Sequence, residues 1–128
     1  MSFLLDTHVF VWAASDPDRL SPVVLDLLEG DSDVVVSAAT AWEIATKHRL
    51  GTFPGGDALV DGFHDHLRLL LAQRLPISED HALLAGGLTW EHRDPFDRML
   101  AAQAVHESLT LVTRDRAFSD AGGVDTLW

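Results

Sequence analysis

The chain has 128 residues, 47% of them hydrophobic and 23% charged, and no cysteine; that length suits one domain with its own core, and the missing thiols exclude disulfides and thiolate metal sites, as fits a reducing compartment such as the cytoplasm. A net charge of −11 speaks against gripping nucleic acid by counterion release over the whole surface. The start, Met1 to Asp6, lacks the basic n-region expected of a signal peptide, and no apolar run approaches the ~20 residues of a membrane span.

Ser2 to Leu5 reads as a short buried strand ending at Asp6. Thr7 to Ala14 reads as a covered helix, stopped by Asp16-Pro17. Ser21-Pro22 pairs an N-cap with proline at the first helical position; Val23, Val24, Leu27 and Leu28 form the stripe and Gly30 the stop. Val34 to Val36 is a β-branched strand, and Ser37 leads into a helix with Ala41, Ile44, Ala45 and His48 facing inward and Gly51 as its end. Glu43 is predicted beside that inner face. Thr52 to Gly56, with Pro54, is a loop. Asp57 then caps a helix whose buried stripe is Val60, Phe63, Leu67, Leu70 and Leu71.

Leu75-Pro76-Ile77 is a short strand, placed at a sheet edge by its proline. Ser78 caps a helix that dies at Gly86-Gly87. Asp94-Pro95 opens the next helix, with Leu100, Ala101, Ala104 and Val105 along one side and Asp97 at its first turn on that same side. Leu109 to Val112 is a strand, Thr113 to Asp115 a turn, Arg116 to Asp120 a helical turn, and Val124 to Trp128 a last strand. Strands alternate with helices throughout, so a mainly parallel sheet covered on both faces is predicted, an α/β architecture of three layers.

Ligand sites in such sheets lie beyond the carboxyl ends of the strands. Asp6 and Asp115 follow strands, Asp94 and Asp97 start a helix, and Glu43 lies in the helix after Val34 to Val36. If the strands run parallel, these acids share one rim. Each has a plainer reading: Asp6, Asp94 and Asp115 stand where N-caps stand, Asp97 suits a helix dipole, and Glu43 has Lys47 four residues on. Magnitudes separate the readings. Two carboxylates ~4 Å apart repel by about 4 kcal/mol at an effective dielectric of ~20, and a domain is stable by only ~5–15 kcal/mol. Acids gathered at one rim therefore need a cation or bound protons, and an all-oxygen set favours Mg²⁺ or Mn²⁺ over zinc. Four of the nine basic residues, Arg93, Arg98, Arg114 and Arg116, lie beside these acids, where Arg98 and Arg114 can clamp phosphate or simply pair with their neighbours. His8 and His92 lie close to acids. His64 and His66, two apart on a helix, point in different directions, and Trp12, Trp42, Trp90 and Trp128 read as core.

Leu4-Leu-Asp-Thr-His8, Ala41-Trp-Glu-Ile44, Asp94-Pro-Phe-Asp-Arg-Met-Leu-Ala-Ala-Gln-Ala104 and Leu111-Val-Thr-Arg-Asp115 together resemble the PIN-domain family, with VapC-type toxins of toxin–antitoxin pairs as the nearest likeness. The resemblance runs from Leu4 to about Phe118, with the segments in the family's order. It implies a parallel sheet between helices and Mg²⁺- or Mn²⁺-dependent endoribonuclease activity, in which a metal-activated water cuts the RNA phosphodiester. By position in the motifs, Asp6, Glu43, Asp97 and Asp115 match the family's four acids, with Thr113 as the small polar residue before the last. Asp94 is an extra acid, either a metal ligand or only a cap. Thr7 and His8 stand where many relatives carry Asn or Ser. The resemblance further implies a homodimer, a small VapB-like antitoxin that blocks the site, and residues 1–128 as a single PIN domain. Competing readings are an RNA-processing PIN nuclease without antitoxin, a PIN module that only binds, and a Mg²⁺-binding receiver module. The last lacks its acidic pair, since Asp6 has no acidic neighbour, and its post-strand lysine, since Lys47 lies mid-helix.

Overall fold

The computed structural model describes residues 1–53 and 55–128; the expected loop at Pro54 lies outside them. Five strands form one parallel sheet: β1 (Ser2–Leu5), β2 (Asp33–Ser37), β3 (Gln73–Leu75), β4 (Thr110–Val112) and β5 (Thr126–Leu127), in the order β3-β2-β1-β4-β5. Leu4 sits opposite Val35 on one side and Leu111 on the other. The chain builds outward from β1 to β2 and β3, then returns to lay β4 on the free side of β1. The order thus reverses between β1 and β4, and the crevice of an open sheet opens at such a reversal. Receiver domains run 2-1-3-4-5, so the strand order sets that alternative aside.

Helices cover both faces. α1 (Thr7–Ser15), α2 (Pro22–Glu29), α4 (Gly56–Asp61) and α5 (Phe63–Leu69) lie on the face that carries Phe3, Leu5, Val34, Val36 and Val112. α6 (Glu79–Gly87) and α7 (Pro95–His106) lie on the face that carries Leu4, Val35 and Leu111. Alternate residues of each strand feed opposite cores, as the period of two requires, and both faces are apolar because both are covered. α3 (Ala38–Arg49) crosses between the layers: Ala39 joins the α7 core and Ile44 the α1 core. Among the described residues no helix is long and apolar enough to cross a membrane.

Several local expectations shift. The buried residues of α3 are Ala39, Thr40, Glu43 and Ile44, while Ala45 is exposed. The face predicted from Ala41, Ile44 and Ala45 is rotated, because this helix must serve two cores, and the rotation carries Glu43 fully inward. The helix expected from Asp57 to Leu71 is two helices that meet at Gly62. Gly55 at φ 73°, not Asp57, holds the cap position of α4. A Cβ on Gly56 would sit 2.5 Å from His48 Nδ1, so only glycine lets α4 close on α3 there. Leu71 lies past the end of α5 at φ 52° and is 86% exposed, and Val60 is exposed too. β3 ends at Leu75, so Pro76 follows the edge strand instead of lying inside it.

Candidate active site

Asp6 follows β1 at the point of strand reversal. Its amide extends the ladder by donating to the Val112 carbonyl at 2.9 Å. Its side chain caps α1: Oδ1 accepts from the Thr7 amide at 2.7 Å, and Oδ2 accepts from the Thr113 hydroxyl at 2.7 Å. Thr113 Oγ1 in turn accepts from the Asp115 amide at 3.0 Å. One buried hydroxyl therefore ties the ends of β1 and β4 together. It sets the backbone at Asp115, whose own Oδ1 caps the following 3-10 turn through the Ala117 amide at 2.9 Å. Asp94 caps α7, its Oδ1 accepting from the amides of Phe96 at 2.9 Å and Asp97 at 3.3 Å. The capping reading of Asp6, Asp94 and Asp115 is thus correct for all three. It does not compete with a rim site, because a helix or turn that starts just past a strand end needs its cap at the rim.

Glu43 reaches the rim from α3 and is only 2% exposed. Its Oε2 accepts from Lys47 Nζ, whereas Oε1 is buried with no hydrogen-bond partner. Asp97 stands on the first turn of α7, with Oδ2 2.7 Å from His92 Nε2. The His92 ring stacks on Trp90 at 4.5 Å between centroids.

The acids press on one another. Burial pushes Asp97 up to about 6; the His92 hydrogen bond opposes this, and the charges of Asp94, Asp6 and Glu43 add to it. Burial likewise raises Asp6 above its ordinary value; the Thr113 hydroxyl, the charge of His8 and the Thr7 amide oppose the rise, and Glu43 adds to it. Burial alone works to discharge Lys47, but the hydrogen bond and charge of Glu43, with the charges of Asp94 and Asp97, outweigh it and raise its pKa. Asp6, Glu43, Asp94 and Asp97 are therefore electrostatic neighbours, with Lys47 as a cation among them. Asp115 joins through a second feature: it lines a cleft of about 270 Å³ with Asp6, His8, Trp12 and Arg114.

The expected phosphate contact of Arg98 requires correction. Its Nε and both terminal nitrogens donate to the carbonyls of Ala85, Gly86, Leu88, Trp90 and His92 at 2.6–3.5 Å. A guanidinium has five N–H donors, and all are committed to backbone carbonyls of the last turn of α6 and of the segment that joins it to α7. Arg98 fixes the segment that carries His92 and leaves none for substrate. Arg93, Arg114 and Arg116 are exposed. Trp90 is core as expected, but Trp42 is 51% exposed and leans edge-on against Phe96, and Trp12 is only partly buried.

The residues present fit a hard divalent cation. The donors are carboxylate oxygens, Glu43 Oε1 is a buried oxygen left without a partner, and the acids are held in mutual repulsion. They are not closed into a shell: among the described residues, three metal-type donors all within 4.8 Å of one another occur only at His81, His106 and Glu107. That second cluster is a poor metal site. His81 Nδ1 accepts from the Ser78 amide at 3.1 Å, and an amide can only donate. The neutral ring therefore carries its proton on Nε2, the atom that faces Glu107 Oε1 at 3.4 Å.

Sequence reasoning passed over two buried groups here. Thr40 Oγ1 meets Thr7 Oγ1 at 3.3 Å, tying α3 to α1. Gln103 takes the Ser37 hydroxyl on Oε1, and its Nε2 lies 3.3 Å from both the Pro76 carbonyl and His81 Nδ1. A polar residue inside the apolar run from Met99 to Ala104 was the available signal for Gln103.

Comparison with known proteins agrees with this fold. The family model described as PIN domain matches residues 3–124. Ribonuclease VapC22 of Mycobacterium tuberculosis (strain ATCC 25618 / H37Rv) is 28% identical over 117 residues, covering 88% of this chain and 86% of that protein. The structure of DNA-bound VapBC from Salmonella typhimurium superposes with a TM-score of 0.72 at 21% identity, covering 99% of this chain and 97% of the other. FitAcB from Neisseria gonorrhoeae gives 0.66 at 26% identity, covering 98% and 96%. With a family match that spans residues 3–124, nearly the whole chain, this chain belongs to the PIN domain family.

Proposed function

We propose that the chain, as a single PIN domain over residues 1–128, is a Mg²⁺- or Mn²⁺-dependent endoribonuclease and the toxin of a VapBC-type pair. One observation carries the reading: Asp6, just past β1, Glu43 of α3 and Asp97 of α7 meet as mutually repelling charges at the carboxyl ends of the strands. The kinship with Ribonuclease VapC22 points the same way. Asp6, Glu43, Asp97 and Asp115 are the proposed metal-binding and catalytic acids, with Asp94 as a helix cap that adds negative charge.

When bound, the cation supplies charge neutralisation and a more acidic water for in-line attack at phosphorus. The protein's part is to hold oxygens still. The Thr7 amide and the Thr113 hydroxyl pin both oxygens of Asp6, and His92 orients Asp97. Glu43 offers Oε1 from a dry wall, where an ionic contact is stronger than in water. Arg114, exposed beside Asp6 and Asp115, is the arginine placed to meet a phosphate. The likeness to the VapBC structure from Salmonella typhimurium supports a VapB-like antitoxin as partner, and we extend the reading to a homodimer acting in the cytoplasm.

The test is cleavage of RNA by purified protein with Mg²⁺, with Mn²⁺ and with a chelator, repeated for Asp6→Asn. Cleavage that needs the cation and vanishes in a folded Asp6→Asn variant is expected. Chelator-resistant cleavage, or full activity in the variant, would overturn the reading.

A further inference from the structure

Beside the acids lies a second cleft, of about 430 Å³, whose walls include His8, Trp12, Arg19, Lys47 and Phe53. It joins the acid rim in two ways. His8 and Trp12 also line the cleft of Asp6 and Asp115. Lys47 lines the second cleft while its ammonium reaches Glu43 Oε2. The volume suits a small-molecule-sized group, and the walls combine aromatic rings with two cations, Arg19 and Lys47, against one acid, Asp16, in an otherwise acidic protein.

We propose that this cleft is the subsite for the nucleotide next to the scissile phosphate of a single-stranded RNA. Trp12 is the surface on which the base lies, and Lys47 and Arg19 meet the flanking phosphates. The proposal rests on the ribonuclease reading above and adds where the strand runs.

The chemistry favours this occupant. Unpaired bases are recognised by stacking on aromatic rings and on arginine planes, whereas a duplex hides its bases. The Arg19 guanidinium lies over the Trp12 ring, 5.6 Å from its centroid. Its one ion pair, to Asp16 at 3.4 Å, joins two side chains that are more than half exposed. Such a pair holds weakly, so Arg19 is free to turn to a phosphate. Lys47 is the only lysine of the chain. It bridges the acids and the cleft, and a cation there offsets the repulsion between the carboxylates and an incoming phosphate. Arg98, with every donor on a backbone carbonyl, is spent elsewhere.

The test uses short single-stranded RNAs of one cleavable sequence, in which either nucleotide flanking the cut is made abasic or either flanking phosphate is replaced by a neutral methylphosphonate. Binding is read by fluorescence anisotropy with the cation chelated, and cleavage by separate kcat and KM. For wild type, one of the two abasic positions is expected to weaken binding about tenfold. In Trp12→Leu that penalty disappears, and in Lys47→Gln or Arg19→Gln the methylphosphonate penalty disappears. Arg68→Gln, on the surface of α5, keeps wild-type values. A merely structural Trp12 would weaken all RNAs alike and leave the abasic penalty intact, which would overturn the proposal. Should Trp12→Leu fail to fold, the Arg19→Gln and Lys47→Gln comparisons decide alone. Wild type that cleaves RNA but is indifferent to abasic sites overturns the subsite only; wild type that cleaves no RNA overturns the ribonuclease reading itself.

Discussion

Helix α7 has a polar cluster near each end, and the two differ in kind. Near its start, Asp97 is pushed up by burial and, further, by the like charges of Asp94, Asp6 and Glu43, with a buried Glu43 oxygen left unpaired. Toward its other end, Gln103 and His81 engage the Ser78 amide, the Ser37 hydroxyl and the Pro76 carbonyl in complementary donor–acceptor pairs. There the one unpaired atom, His81 Nε2, still has Glu107 Oε1 within 3.4 Å. Six positions along the helix, ~9 Å of rise, separate Asp97 from Gln103. The far cluster satisfies itself and holds the fold. The near cluster is left in repulsion, and buried groups of like charge persist only where something else compensates them. Burial and polarity alone would rank the two alike; sign and satisfaction tell them apart.

Four measurements can break or sharpen that contrast. The largest effect is expected from Asp97→Asn, which should lower RNA cleavage by about a hundredfold or more while leaving stability unchanged or higher, since it removes repulsion. A variant as unstable as it is inactive would erase the distinction. Next, Gln103→Ala should strand several buried partners and lower stability by about 2–4 kcal/mol in urea unfolding, with residual activity that tracks the folded fraction. A selective loss of activity in fully folded protein would move function to the wrong end of the helix.

The third is pH dependence without metal. The raised pKa of Asp97 means that the folded state binds more protons than the unfolded one between the ordinary carboxylate value, 3.8, and about 6, and Asp6, also raised, acts in the same direction. Stability is therefore lost as pH rises through that window, and the cost is fully present above it. The metal-free protein should melt at a temperature a few degrees higher near pH 5 than near pH 8. Added Mn²⁺ should restore most of the difference at pH 8 and do little at pH 5. A melting temperature flat across this range would deny that the acids repel. Smallest is Glu107→Gln at the far cluster, where a change within about 0.5 kcal/mol is expected because Glu107 is exposed. Calorimetric zinc titration of wild type and this variant should coincide. A zinc affinity lost only in Glu107→Gln would make that cluster a metal site after all.

Much of the site was legible because caps are local. Asp6, Asp94 and Ser78 announce the starts of helices within three residues, and those starts mark the rim of the sheet. Apart from its place in the Ala41-to-Ile44 motif, Glu43 stood out as a mid-helix carboxylate among Trp42, Ile44 and Ala45. Lys47 was read as its ordinary helical partner, which it is, but spacing along one helix says nothing about Asp94 and Asp97 arriving from another. Arg98 misled because an arginine beside acids looks the same in sequence whether its donors face a phosphate or backbone carbonyls. The extent of α3's buried face was misread because apolar periodicity assumes one core, and this helix serves two.

By itself the amino-acid order determined the alternation of strands and helices, the caps, and which acids stand at strand ends. These depend on interactions across a few residues, with period two in strands and 3.6 in helices. Only the tertiary structure decided that β4 lies beside β1, that the Thr113 hydroxyl therefore reaches Asp6 across 107 residues of chain, and that three acids meet around one lysine. The reason is physical: strand order and charge proximity are set by how whole faces are buried against each other, and no short stretch of sequence contains that information.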